Sequence, residues 1–261
     1  MTTDRTFRRP STLLACVALL ASLQACDRGH PSRTSQSGTP ATEVHPAEGD
    51  VAVGAEAEGA DEEGPMDVRN RWTIKTALPV GVDPSRGREV PLQTLVTLPD
   101  VPGVARKDPR FQYARIAGWK GPMGLGEGSM VTTRGWLQLV ANPADADYHL
   151  QLTAAPGDRA SALIVEIPSP DSLHTSMEGM RPIFAAARAW VREHALGGQE
   201  PKHKGTVLAQ PIYVTVTGPL FYDDQHVGQP PRGKRGQPAG TLWEIHPVSH
   251  IDLARPDSSP G

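Results

Sequence analysis

Five short apolar stretches constrain the fold of this chain more than any other feature. Each is bounded by glycine, proline or polar residues, and they lie at 130–141, 147–152, 162–167, 212–222 and 242–253. Short runs of this length and composition, several of them alternating, are typical of β-strands. The 26 glycines and 26 prolines also favour strands and loops over a helical bundle. The sequence therefore predicts a mainly β protein.

One amphipathic helix interrupts these strands, between the third and the fourth. It is predicted over 177–196, where apolar residues recur at helical spacing, and Gly197 and Gly198 end it. The resulting order of strands and helix is that of the OB-fold, a five-stranded, partly open barrel. An immunoglobulin-like sandwich is the alternative, but a helix in mid-chain argues against it.

The segment before the first of these strands is predicted to be an N-terminal elaboration packed on the barrel. Within it, 71–76 and 111–119 resemble short strands, and 90–98 is a further short element. Gly135, inside the first long strand, predicts a bulge or a tight bend there.

The beginning of the chain has the features of a bacterial lipoprotein signal. Arg5, Arg8 and Arg9 precede a short apolar run, which ends in Leu-Gln-Ala-Cys with Cys26 as its last residue. This ending resembles the lipobox, in which the cysteine becomes the acylated first residue of the mature protein. The resemblance implies a signal peptide over 1–25, lipidation of Cys26, and a protein held on the lipid bilayer of the cell envelope with its domain facing the periplasm or the exterior. The only other cysteine, Cys16, lies in the signal peptide, so no disulfide is expected in the mature domain.

Residues 26–68 are predicted to be a disordered acidic tether. Residues 27–68 contain ten acids against two arginines, and no aromatic residue. Such a segment buries too little apolar surface to offset the entropy of ordering it. The remaining residues, 69–261, form the predicted OB-like domain and have 21 basic against 18 acidic side chains. This weak positive charge makes nucleic acid an unlikely partner, because nucleic-acid binding needs a concentrated basic patch.

Two acid-x-histidine pairs are the strongest candidates for chemistry. Asp147 and His149 lie in the second strand, and Glu244 and His246 lie in the fifth. Residues two apart on a strand point to the same face, so each pair presents a carboxylate beside an imidazole.

These pairs allow three interpretations. Asp147, His149, Glu244 and His246 are candidate ligands of a divalent metal, which would activate a bound water. Together with Gln151 and Glu166 they are also candidates for a non-metal ligand groove, because Gln151 follows on the same face of the second strand and this face binds ligands in OB-folds. The third interpretation is structural, with both histidines hydrogen-bonded to neighbouring carboxylates.

Glu166 stands in an otherwise apolar strand, and a buried carboxylate needs a compensating cation or helix N-terminus. Lys75 and Arg134 are the candidates for that cation.

Several sequence blocks resemble those of a group of secreted bacterial proteins. The blocks are Arg-Trp-x-x-Lys-Thr at 71–76, Asp-Tyr-His at 147–149, Val-Glu-Ile-Pro at 165–168, Val-Thr-Gly at 216–218 with Phe-x-Asp-x-x-His at 221–226, and Glu-x-His-Pro-Val at 244–248. The resemblance implies a shared fold over about 69–253 and implies no particular activity.

Three functional hypotheses follow. The first is an envelope lipoprotein whose OB-like domain binds a polar polymer or a protein partner, without catalysis. The second is a metal-dependent hydrolase, phosphodiesterase-like, that uses the Asp/His/Glu residues. The third is a purely structural or assembly role. Convergence of the candidate residues in an accessible cleft would favour the hydrolase, and burial would favour the other two.

Overall fold

The computed structural model describes residues 71–256 of the chain. The predicted signal peptide, Cys26, the acidic tether and the last five residues lie outside this range. Within it the protein is mainly β, with eight strands in a sheet and one long helix. No helix among the described residues has the length and the apolar character needed to cross a bilayer.

Eleven helices and strands follow one another along the described residues. They are α1 (Trp72–Lys75), β1 (Arg88–Glu89), α2 (Leu92–Val96), β2 (Met130–Ala141), β3 (Tyr148–Thr153), β4 (Ala162–Ile167), α3 (Arg181–Ala195), β5 (Thr206–Tyr222), β6 (Gly233–Lys234), β7 (Gln237–Ile245) and β8 (His250–Leu253). Short 3-10 turns stand at Pro109–Phe111, Pro122–Gly124, Glu178–Met180 and Asp224–His226.

Five long strands carry most of the pairing. β2 pairs with β3, β3 with β4, β4 with β7, β7 with β5, and β5 again with β2. The β4–β7 pairing is parallel and the other four are antiparallel. Each of the five is therefore hydrogen-bonded on both sides, while β1 and β8 add to the outside of β2 and β5.

The core lies between these strands and the elements packed on them. One buried apolar cluster contains Tyr148, Leu150 and Leu152 of β3 together with Phe184 and Val191 of α3. α3 follows its predicted pattern: a proline stands in its first turn, and two glycines with positive φ end it. The amide of Gly198 donates to the carbonyl of Arg192 and so satisfies a carbonyl of the last helical turn.

Several local predictions are wrong. The segment 71–76 contains the short helix α1 (Trp72–Lys75) rather than a strand, and 111–119 form turns and loop. The predicted fifth strand over 242–253 is two strands, β7 and β8, which separate after Ile245. The bulge of β2 lies between Leu137 and Leu139 rather than at Gly135. Gly135 is needed for space instead, since a Cβ there would lie 2.8 Å from the Leu92 side chain.

A buried ion pair fastens the N-terminal elaboration to the sheet. Arg71 Nη2 lies 2.7 Å from Glu127 Oε2, and both side chains are fully buried. The guanidinium also donates to the carbonyls of Phe111, Ala114 and Tyr222. Glu127 in turn accepts from the Tyr222 amide. Because both partners are saturated with hydrogen bonds, this pair escapes the penalty of an unsatisfied buried charge.

Candidate functional site

The two acid-x-histidine pairs and Glu166 come together in one buried cluster. His246 is in contact with three carboxylates: its Nδ1 lies 3.1 Å from Glu166 and 3.4 Å from Glu244, and its Nε2 lies 3.3 Å from Asp147. His149 Nδ1 lies 2.9 Å from the other oxygen of Glu166. All five residues are buried.

Strand register explains this convergence. His149 on β3 is directly opposite Glu166 on β4, and Ile164 on β4 is opposite Glu244 on β7. The polar side chains of the three neighbouring strands therefore share one face of the sheet. Tyr148, Leu150 and Leu152 point to the opposite face, where they join the apolar core.

Three residues that the sequence did not single out as a group complete the cluster. Arg232 Nη1 lies 2.7 Å from Asp223 Oδ2 and also contacts Glu244 Oε1. Lys75, at the end of α1, is buried beside Asp223, Glu166 and Glu244. We call the set of eight the polar centre: Lys75, Asp147, His149, Glu166, Asp223, Arg232, Glu244 and His246.

The electrostatics of the polar centre favour charged side chains despite their burial. Burial alone would raise the pKa of Glu166, but hydrogen bonds from His149 and His246 hold that pKa well below its usual range. Burial alone would lower the pKa of His246, and its contacts with three carboxylates instead hold that pKa well above the usual value. The pKa of Lys75 is raised against the effect of burial by Asp223, Glu166 and Glu244.

At the rim of the cluster, Asp145 behaves in the opposite way. Burial, followed by repulsion from Asp147 and Glu166, raises the pKa of Asp145 to about 8.

The polar centre is covered on the side where a ligand groove was predicted. Gln151 accepts from the amide of Lys234 and donates to the carbonyl of Gln237, so the β6–β7 hairpin lies over β3. The amide of Ser169 donates to Asp147 at 3.2 Å. Asp147, His149 and Gln151 do share a face, as predicted, but they are at most 5% exposed. The expectation of an open ligand face on this strand is therefore wrong, because the hairpin covers it.

Glu166 has the cationic neighbour that its burial requires. Of the two cations proposed for it, Lys75 is buried nearby, whereas Arg134 lies at the surface, 3.2 Å from Glu89. Arg232 belongs to a segment rich in glycine and proline, in which basic side chains are usually solvated, yet its side chain is only 9% exposed. The run of basic residues at 232–235 gave no signal that one of them turns inwards.

A separate, open groove lies along the first half of β5. A hollow of about 1000 Å³ is lined by Trp136, Ile212 and Tyr213, with Arg255 at its edge. The Trp136 and Tyr213 rings are 5.2 Å apart, and both are half-buried.

A second hollow, of about 340 Å³, continues this groove. The two share Leu208, Ala209 and Pro211, and the second is bordered by Arg159 and Arg235. We call the two together the β5 groove. None of the candidate site residues from the sequence lies in it.

Comparison with known proteins gives no relative to draw on: no protein-family model, curated protein or solved structure matches the chain. The site has to be interpreted from its own geometry.

Proposed function

We propose that this protein is a lipid-anchored envelope protein whose OB-like domain binds an extended, acidic segment of a protein partner in the β5 groove. The proposal has three parts: the barrel, the anchor and the groove.

The pairing scheme supports an OB-like barrel. Five strands pair in the order β2-β3-β4-β7-β5 and back to β2, with one parallel pair between the third and the last in sequence. α3 stands between the third and fourth of the five. This agrees with the strand order and helix position of an OB-fold, with β1, β6 and β8 as additions.

The lipobox-like ending at Cys26 supports the anchor, together with the basic and apolar residues before it. The acidic segment 26–68 would then act as a spacer between the membrane and the domain. A Cys26→Ser variant, expressed in a bacterium that processes lipoproteins, should leave the membrane fraction, and its N-terminal peptide should lack acyl chains in mass spectrometry. An acylated, membrane-bound Cys26→Ser variant would refute the anchor.

The open β5 groove is the observation that supports a binding function. It presents Trp136 and Tyr213 beside aliphatic side chains, and aromatic anchors of this kind dominate the energetics of protein interfaces. By contrast the polar centre lies beneath the β6–β7 hairpin, and its charged side chains form ion pairs with one another. The hydrolase has the convergence of five acid and histidine residues in its favour, but their burial denies access to a macromolecular substrate.

Shape and charge define the occupant of the groove. The two hollows share lining residues of β5 and so lie next to each other along the strand, which suits an extended chain rather than a compact ligand. Arg159, Arg235 and Arg255 border the groove, and Asp158 is the one acid among its lining residues. An extended segment that carries carboxylates as well as apolar side chains is therefore complementary to it.

The binding proposal can be tested with a fluorescently labelled random copolymer of glutamate and tyrosine. Its anisotropy should rise when the full-length chain is added, and Trp136→Ala should weaken binding about tenfold or more. Tyr113→Ala is the matched control, because Tyr113 is 71% exposed and lies outside the groove.

Poly-L-glutamate and dextran sulfate distinguish the alternatives. Both carry charge without apolar side chains, so both should bind more weakly than the copolymer. If dextran sulfate binds as tightly and Trp136→Ala has no effect, the partner is a polar polymer rather than a protein segment. If the copolymer does not bind, the groove does not have this function.

A further inference from the structure

Four buried side-chain atoms of the polar centre lack hydrogen-bond partners. Two are Arg232 Nε and Nη2, and the other two, Asp147 Oδ2 and His246 Nε2, belong to fully buried residues and lie 3.3 Å apart. This separation permits charge attraction, but the geometry is not that of a hydrogen bond. Buried polar atoms nearly always have a partner, so this pair requires an explanation. A metal ion bound to both atoms would supply one, because two ligands of the same ion lie about 3 Å apart.

The remaining polar atoms of both residues are already held in place. Asp147 Oδ1 accepts from the Ser169 amide, and His246 Nδ1 faces Glu166 and Glu244. A histidine that binds a metal through one nitrogen typically donates its other N–H to a carboxylate. Here Glu244 lies 3.4 Å from Nδ1 and can accept its proton, which leaves Nε2 facing Asp147 as that arrangement requires.

Glu166 provides a third ligand once its Oε2, now 3.1 Å from His246 Nδ1, turns towards the ion. One ligand atom from each of Asp147, Glu166 and His246 lies within 4.8 Å of the others. Ligands of one ion at about 2.1 Å are at most about 4.2 Å apart, so a small side-chain adjustment completes the set.

The formal charge of the polar centre is consistent with a divalent ion. Four carboxylates, those of Asp147, Glu166, Asp223 and Glu244, face two permanent cations, Lys75 and Arg232. With neutral imidazoles, which metal ligation requires, two negative charges remain.

We infer that Asp147, Glu166 and His246 bind one divalent transition-metal ion, with Glu244 orienting His246. Two carboxylates and an imidazole suit Zn²⁺ or Mn²⁺ better than Mg²⁺ or Ca²⁺, which prefer oxygen ligands alone. Because the site is buried, the ion has a structural role: it stabilises the packing of β3, β4 and β7 against one another. This inference is independent of the β5 groove.

The test measures metal content and stability of the full-length, tag-free chain. The protein is unfolded and refolded with Zn²⁺, Mn²⁺, Mg²⁺ or EDTA, so that burial of the site does not limit access, and is then dialysed. Elemental analysis should find one Zn²⁺ or Mn²⁺ per chain, and the thermal midpoint should exceed that of the EDTA sample. Mg²⁺ should give neither effect.

Asp147→Asn is the main variant, because it keeps the shape of the side chain and the Oδ1 acceptor. It should weaken Zn²⁺ binding at least about tenfold and abolish the zinc-dependent rise of the midpoint. Asp224→Asn is the matched control: it also alters a buried aspartate with an unpartnered oxygen, but one outside the three-residue group. If Asp147→Asn does not fold, Glu166→Gln should show the same loss of zinc. The inference is overturned if the wild-type chain retains no transition metal after refolding, or if these variants retain as much as the Asp224→Asn control.

Discussion

Arg232 offers the sharpest test of how the polar centre is stabilised. Its guanidinium bridges two buried carboxylates, 2.7 Å from Asp223 and in contact with Glu244, and its side chain is only 9% exposed. Replacing Arg232 with methionine retains a long, unbranched side chain but removes the charge. Both carboxylates then lose this cation. Removing one partner of a buried ion pair costs about 3 to 5 kcal/mol, because the remaining charge is buried and uncompensated.

This loss would be a large fraction of the stability of the domain. Domains of this size are typically stable by about 5 to 15 kcal/mol, so Arg232→Met should lower the midpoint of urea unfolding substantially. In thermal unfolding the same loss corresponds to roughly 6 to 20 °C for about 190 residues. Circular dichroism of the full-length chain during urea titration gives the free energy directly.

Arg134→Met is the matched control. Arg134 pairs with Glu89 at 3.2 Å, but the two side chains are 45% and 61% exposed. Exposed pairs of this kind contribute about 0 to 1 kcal/mol. If Arg232→Met costs no more than Arg134→Met, the carboxylates of the polar centre do not depend on this cation. A double variant, Arg232→Met with Glu244→Gln, should recover part of the loss because one unpaired charge is removed.

Three further predictions follow from other parts of the fold. Gly218→Ala should lower the free energy of unfolding, measured by urea titration, by about 1 to 3 kcal/mol. The reason is that a Cβ at this position would lie 2.3 Å from the carbonyl oxygen of Pro247. An unchanged midpoint would contradict this close approach. Phe184→Ala should cost about 3 to 5 kcal/mol in the same assay, since this ring of α3 is fully buried in the core. Burial raises the pKa of Asp224 to about 6 from an ordinary 3.8. The folded state therefore binds the Asp224 proton more tightly than the unfolded state does. The stability that this proton contributes is fully present below about pH 4 and is lost as the pH rises through 6. Asp224→Asn keeps an acceptor for the Asp108 amide, and it should therefore gain about 1 to 2 kcal/mol relative to wild type between pH 4 and pH 7; parallel stability curves for the two proteins would refute the shift.

The sequence by itself determined where the main strands and the helix lie. Met130–Ala141 and Ala162–Ile167 have the predicted bounds, and α3 lies within the predicted 177–196. These elements could be predicted because their patterns are local: alternation marks a half-buried strand, and a 3.6-residue period marks a helix face. The same alternation correctly placed Asp147 with His149 on one face.

The predictions are wrong where the local pattern and the tertiary environment disagree. The residues 71–76 alternate like a strand, yet they form a helix that carries Arg71 and Lys75 into the protein, towards Glu127 and the polar centre. A segment this short has little intrinsic preference for helix or strand. Its conformation therefore depends on the buried charged groups from other parts of the chain that Arg71 and Lys75 contact.

Only the tertiary structure decided which polar residues meet and which of them solvent can reach. Asp147 precedes β3, Glu166 lies in β4 and His246 follows β7, and the register of these strands brings one ligand atom of each within 4.8 Å of the others. The cover over Gln151 is made by the β6–β7 hairpin more than 80 residues later in the chain. A pattern along one strand specifies the direction of a side chain, but contact and burial are properties of pairs of segments. For that reason the acid-x-histidine pairs could be recognised in the sequence, while their enclosure with Lys75 and Arg232 could not.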